Sequence, residues 1–248
     1  MKKIINFTLM IIALIIVPGL IFIYHNTSSQ RYNTKEMKQY NDFYYYSVTD
    51  EQAEDTISYI EENVMSKIPE SIKNTLIDDD WIICIVKNIG EEYKNNVVYT
   101  PPTGTEYHLS GITISLSRII MIQYTDDKNE IANVILHEIG HAMNYEYGFA
   151  CASKEFSDIY RNEIDKIKID DYCKVSKEEY FPELFKEYLL KDSLASQSVK
   201  ANDYYKKLIE SNTIHDGNLF SKFKMTTIGS YRIVLTEIEN LISQKPSE

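Results

Sequence analysis

The stretch that most constrains this 248-residue chain is VILHEIGHAMN, residues 134–144. Ile131, Val134, Ile135, Leu136, Ile139 and Met143 place apolar side chains around most of a helix, and a helix apolar nearly all round is a buried one. Into that helix the sequence sets His137, Glu138 and His141. Groups of this kind are costly to bury without partners, so the helix must pack where something satisfies all three. The spacing says what. Four residues are about 400° of helix, so both imidazoles project from one face, one turn apart, and one metal ion can take both. Glu138 is rotated by about 100° from His137; it stands aside from the ion but reaches a water held on it. Two ligands and a general base are the parts of metal-assisted hydrolysis, and the metal this set suits is Zn2+. Gly140 costs about 1 kcal/mol of helix propensity relative to alanine, and in exchange it lets a neighbouring chain approach closely.

A catalytic zinc takes three protein ligands and keeps a fourth position open. After His141 the chain reads AMNYEYGFA, so no third histidine follows in the HExxHxxGxxH manner. His108, His215 and a carboxylate on a later helix remain as sources. The stretch DYCKVSKEEYFPELFKEYLL offers Glu178, Glu179 and Glu183 on a helix rich in aromatics. By themselves Glu179 and Glu183, with Lys177 and Lys186, also describe a solvated helix face, and Tyr172 is one of 20 tyrosines.

Two motifs together go further. LHEIGHAMN is similar to the LHE-x-GHA-x-D signature of the anthrax lethal factor-like zinc peptidases, a family that includes the bacterial Pro-Pro endopeptidases. Tyr172, followed seven positions later by Glu179 in EYFPE, resembles that family's second motif, a tyrosine ahead of the zinc glutamate of an E-F-F-A-E run. Glu179 follows His141 by 38 residues, a separation that suits the family, and the resemblance covers roughly residues 45–210. It implies a zincin-like fold and a zinc endopeptidase. His137, His141 and Glu179 would be the metal ligands. Glu138 would be the general base and then the proton donor to the leaving amine. Tyr172 would hydrogen-bond the oxyanion, and Glu183, one helical turn beyond Glu179, would orient a histidine from behind. No cleavage preference follows from the resemblance.

Two residues depart from the pattern. Asn144 stands where the family has aspartate; as a support for a zinc-binding histidine it would keep an acceptor and lose the charge. Pro182 stands where the family has alanine. Proline belongs near a helix start, which puts the start at about Glu178 or Glu179 and leaves the choice of ligand between those two open, with the tyrosine offset favouring Glu179. Both departures also admit a catalytically silent module that keeps the scaffold to bind peptide or protein. The intact Glu138 argues against it. A purely structural zinc would need a fourth protein ligand, which His108 or His215 would have to supply.

Around these motifs the periodicity predicts an α+β domain with a small sheet first and a mainly helical C-terminal half. Thr49 and Gln52 form a capping box that opens a helix bearing Ala53, Ile57, Ile60 and Val64 on one face. A short helix spans Pro69–Ile77. WIICIVKNI, 81–89, is a buried strand with Cys84 in its core; residues 99–111 are a Pro- and Gly-rich loop. ITISLSRIIMIQY, 112–124, alternates: Ile112, Ile114 and Leu116 on one face, Thr113, Ser115 and Ser117 on an exposed polar one, with a turn near Ser117–Arg118. The resemblance to zinc proteases implies that GITISLS, 111–117, is an edge strand beside the cleft, able to pair with an extended peptide. Helices are expected over about 129–145, 153–168, 178–191, 202–210 and 229–243.

The N-terminus divides the chain. Lys2 and Lys3 precede an apolar run from Ile4 to Tyr24; a membrane-spanning helix needs about 20 such residues, and no small-x-small cleavage site follows. Residues 1–28 therefore read as a signal anchor, 29–45 as a polar, Tyr-rich stalk and 46–248 as the metallopeptidase-like domain. The flanking lysines put the N-terminus in the cytoplasm and the domain outside the cell, on a single-pass anchor, or secreted if the segment is cleaved. The formal charge is −11 with no block of cations, which disfavours a nucleic-acid partner. Peptide or protein substrate and the membrane are the expected partners, and a monomer the expected state. Of the three cysteines, Cys151 and Cys173 are available to pair in an oxidising compartment.

Overall fold

Two runs of isoleucine-rich sequence build the centre of the molecule. In the computed structural model, the described residues are 38–40, 43–47, 53–89, 98–99, 107–115, 118–190 and 193–211, all within the compact unit Tyr32–Asp216. Strand β1 is Lys38–Tyr40 and β2 is Phe43–Ser47. Helices α1 (Ala53–Asn63) and α2 (Glu70–Asp78) follow, then β3 (Ile82–Val86), the short strands β4 (Val98–Tyr99) and β5 (Tyr107–His108), and β6 (Gly111–Ile114) and β7 (Ile119–Gln123). The rest is helical: α3 (Lys128–Glu146), α4 (Lys154–Glu163), α5 (Lys177–Leu190), α6 (Ser193–Gln197) and α7 (Val199–Glu210).

Five strands form one sheet in the order β1-β2-β3-β7-β6. The inner pairs β2/β3 and β3/β7 are parallel, and the outer pairs β1/β2 and β6/β7 are antiparallel. Because side chains alternate along a strand, β3 and β7 serve two cores. Ile83 and Ile85 lie beside Ile120 and Ile122 and face the helices; Cys84, Val86, Ile119 and Met121 form a smaller cluster on the other face. Leu136, Ile139, Ala142 and Met143 of α3 join the larger core, followed by Phe156, Phe181, Phe185 and Tyr205 from the later helices. Asp127 caps α3, its carboxylate accepting from the backbone N–H of Asn129 at 2.9 Å.

The α+β reading stands, with three corrections. The strands do not all come first, since α1 and α2 lie between β2 and β3. The stalk expected over 29–45 contains β1 and most of β2, and Phe43 and Tyr45 are buried. Consecutive aromatic residues suit a half-buried strand even in polar sequence, so the folded domain begins no later than Lys38. The face of 112–124 expected to meet solvent is the one turned to the helices. Thr113 lies beside Ile120 of the main core, whereas Ile112 and Ile114 pack on the smaller cluster. Arg118, in the left-handed region at φ 52, divides this stretch into β6 and β7. The predicted anchor at 1–28, the capping box at Thr49 and Gln52, and the helix at 229–243 lie outside the described residues. Among those described, no helix is long and apolar enough to cross a membrane.

Candidate functional site

α3 and α5 pack closely against one another, and the site lies where they meet. His137 and His141 project from α3 one turn apart, ring centroids 5.0 Å apart. Glu179 comes to them from the first turn of α5. Its Oε2 lies 3.3 Å from His137 Nε2 and 3.5 Å from His141 Nε2. One ligand atom from each of the three residues falls within 4.8 Å of the others. Two ligands of a tetrahedral zinc, each about 2.0–2.1 Å from the ion, stand about 3.3–3.4 Å apart, so this spacing fits such an ion. The donor set fits as well, two imidazole nitrogens and one carboxylate. His137, His141 and Glu179 keep 13%, 22% and 24% of their side chains exposed, which leaves the group open to solvent on one side.

Behind the pair the chain is closed. Glu183, one turn along α5 from Glu179, sets Oε2 3.0 Å from His137 Nδ1. Its other oxygen accepts from Lys186 Nζ at 2.8 Å. His137 is thus held by Glu179 on one nitrogen and by Glu183 on the other. Burial works against its positive charge, but the two carboxylates prevail and push its pKa up to about 9. Burial likewise opposes ionisation of Glu179, and its bonds with His137 and His141 override that and hold its carboxyl well below the usual range. The Cys173 thiol lies in the same pocket, its sulfur within 4.8 Å of the His137 and Glu183 ligand atoms. Burial and the neighbouring Glu183 push its pKa up, so it is a protonated thiol.

Glu138 is buried at the site's edge, where its carboxylate accepts from the Thr113 hydroxyl of β6 at 2.7 Å. Tyr172 lies on the 3-10 turn Tyr172–Lys174 that leads into α5. That turn is fixed by Asp170 Oδ1, which accepts from the Tyr172 N–H at 2.8 Å, and by Tyr160 Oη, which donates to the Lys174 carbonyl at 2.8 Å.

The proline expected at the start of α5 lies deeper. The helix begins at Lys177, and Pro182 is inside it. Proline has no N–H for the carbonyl four residues back, and its place in the packing shows why it is accommodated. A Cβ built on Gly140 would stand 2.6 Å from Pro182 Cα. The glycine lets α5 ride directly on α3 between the two histidines.

Asn144 does not serve as expected. Its Oδ1 accepts from the Cys151 N–H at 2.9 Å and its Nδ2 donates to Cys151 Sγ at 3.3 Å. Both polar atoms are engaged on the turn after α3, seven residues along the helix from His137. Cys151 and Cys173 do not pair. Both are buried and outside any disulfide, as is Cys84, the sulfur of Cys151 lying against Asn144 and that of Cys173 against Glu183. Of the other sources considered for a third ligand, the His108 side chain and His215 lie outside the described residues.

The sequence profile described as "Anthrax toxin lethal factor, N- and C-terminal domain" matches residues 26–208. The chain belongs to the anthrax toxin lethal factor family. This lethal factor-type chain also resembles a solved structure, the Pro-Pro endopeptidase PPEP-2 from Paenibacillus alvei. The identity is 19%, the match covers 65% of this chain and 94% of that one, and the TM-score is 0.47. Comparison with curated protein sequences finds no match. Family membership and the His–His–Glu group together support a metallopeptidase-type function for this lethal factor-type domain.

Three participants were not assigned to the site from the sequence. Thr113 and Gly111 of β6 touch Glu138, and Lys186 neutralises Glu183. Thr113 was visible only as part of a polar alternation, and its contact depends on the β6/β7 register, which no local pattern encodes.

Proposed function

We propose that this chain is a zinc-dependent endopeptidase tethered to the outer face of a cell membrane. The observation that carries this reading is the meeting of Glu179 with both histidines from a separate helix, at 3.3 and 3.5 Å. His137, His141 and Glu179 would hold the ion, and a bound zinc would supply Lewis acidity to water and to the scissile carbonyl. Glu138 takes the proton of the attacking water and returns it to the departing amine, so that peptide C–N cleavage leaves a carboxylate and an amine. Tyr172 donates to the carbonyl oxygen as the carbon becomes tetrahedral and the oxygen gains negative charge, a contribution worth several kcal/mol where the donor is preorganised. Among the described residues β6 ends the main sheet. An extended peptide aligns along that edge by main-chain hydrogen bonds, and this sets the scissile bond across the site. The membrane tether and the outside location rest on Lys2, Lys3 and the apolar run Ile4 to Tyr24.

The test uses the full chain in detergent. Metal analysis should give one zinc per chain, and a broad peptide library should be cleaved. Glu138→Ala should keep the zinc and lose at least about 100-fold in kcat, the scale of a missing general base. Zinc-loaded wild-type protein that cleaves nothing in the library would sink the enzymatic reading in favour of a peptide-binding module.

A further inference from the structure

We propose that Thr113 is a positioning residue for Glu138 and that Gly111 makes the place it holds. This rests on the endopeptidase reading for the role of Glu138 and on the geometry alone for the contact. Gly111 and Thr113 are two residues apart on β6 and so share one face. Val134 and Glu138 are four apart on α3 and so share one ridge. The two pairs are pressed together. A Cβ at Gly111 would stand 2.6 Å from Val134 Cγ1, 2.7 Å from Glu138 Oε1 and 2.8 Å from Glu138 Cγ. The glutamate side chain therefore occupies the space that any side chain at position 111 would need. One residue pair further along, Thr113 Oγ1 is 2.7 Å from Glu138 Oε2 and 2.9 Å from the Glu138 backbone carbonyl.

A threonine hydroxyl has one proton to give. Of its two acceptors the ionised carboxylate is the nearer and the stronger. The β-branched side chain is stiff at χ1, so the donor is fixed before the carboxylate meets it. Glu138 is otherwise a flexible side chain with several rotamers to lose on ordering. Glycine on one side and the threonine hydroxyl on the other reduce those to one. With Oε2 held, Oε1 is the oxygen that accepts the proton of water. The strand that borders the cleft thus also aims the base, and this is why its polar residue faces the helices.

The experiment compares Thr113→Val, which keeps the shape and removes the hydroxyl, with Thr113→Ser, which keeps the hydroxyl, in the full zinc-loaded chain. The valine variant should bind zinc as the wild type does and lose about tenfold or more in kcat, a fraction of what a missing base costs, with KM changed by less than about twofold. The serine variant should recover kcat to within about threefold of wild type. A purely structural threonine would give equal losses for valine and serine. Gly111→Ala should lower kcat in the same way. A second readout needs no activity. In denaturant unfolding, Thr113→Val should shift the midpoint less in a Glu138→Ala background than in wild type, because the shared bond is already gone. Additive shifts, or a valine variant within twofold of wild-type kcat, overturn the proposal. If the wild type cleaves no peptide, the functional reading falls and the unfolding cycle alone decides whether Thr113 holds Glu138.

Discussion

Gly140 and Pro182 meet without space for a side chain between them: the first Cβ atom would come to 2.6 Å from Cα and 2.8 Å from Cβ of the proline. Two opposing effects make this contact testable. Alanine at an ordinary helix position gains about 1 kcal/mol over glycine. Forcing an extra methyl into a packed contact costs about 1–3 kcal/mol, and here the neighbour is backbone and cannot swing aside. Gly140→Ala should therefore lose up to about 2 kcal/mol in urea unfolding. It should also weaken zinc binding by about tenfold, because α5 carries Glu179 and Glu183 and must move away from α3. A variant stabilised by about 1 kcal/mol, as propensity alone requires, would show that the helices are not in tight contact.

Asn144 tests a different point, that a residue can sit in a family motif and do another task. The family's aspartate at this position would place a carboxylate where an amide now donates to Cys151 Sγ and accepts from the Cys151 N–H. The side chain is 4% exposed, and a buried group that loses its bond costs about 1–3 kcal/mol. Asn144→Asp should lower stability by that amount near neutral pH while leaving zinc affinity within about threefold of wild type. A gain in zinc affinity would restore Asn144 as a support for the histidines.

The difference between what was legible in the sequence and what was not follows the range of the interactions. His137, Glu138 and His141 are one turn of one helix, so their relation is a local geometric fact. Glu179 and Glu183 stand to each other in the same way, and the tyrosine offset linked them to the first motif through family resemblance. The longer described helices are legible from periodicity, α3 starting at Lys128 against an expected 129, whereas the short α6 carries no such signal. Register was not. Whether Thr113 or Ile112 faces the helices depends on which residue of β7 each one pairs with, and a shift of one residue exchanges the faces. The strands at Lys38–Tyr40 and Phe43–Ser47 were missed for a related reason. They are short, and the aromatic β2 becomes a strand through its parallel partner β3.

The Trp81–Glu146 pair gives a pH dependence away from the site. Trp81 Nε1 donates to Glu146 Oε1 at 3.0 Å. Burial, and then the charge of Asp79, push the Glu146 carboxyl up to about 7 from 4.5, while the Trp81 bond and Arg118 pull it the other way. Arg118 in turn lies 3.2 Å from Asp79 Oδ1. A raised carboxyl favours the protonated folded state. Its contribution is complete below the unfolded value and is lost as pH rises through about 7. Glu146→Gln keeps an acceptor for Trp81 and does not titrate. In urea unfolding the variant should become more stable relative to wild type between about pH 5 and pH 8, by on the order of 2 kcal/mol, and the difference should then level off. A difference that does not change across that range would remove Glu146 as the titrating group.

Glu183 joins the buried side of the site to its ligands, and removing its charge alone should reveal that link. Burial opposes ionisation of this carboxyl, but His137 and Lys186 bring its pKa down to about 2, so it is charged at every working pH. Glu183→Gln preserves size and one oxygen, so it does not open a cavity. It takes the negative charge from behind His137 Nδ1, now 3.0 Å away, and leaves Lys186, only 14% exposed, without its counter-charge. Carboxylates that orient a ligating histidine are worth about 10–100-fold in metal affinity. Zinc affinity measured by chelator competition should fall by that factor. Adding Lys186→Met to the Gln variant should restore part of the stability, since the unpaired buried cation is then gone, but none of the zinc affinity, since the histidine is still unsupported. Recovery of both together would mean that Glu183 serves Lys186 alone and that His137 is oriented by something else.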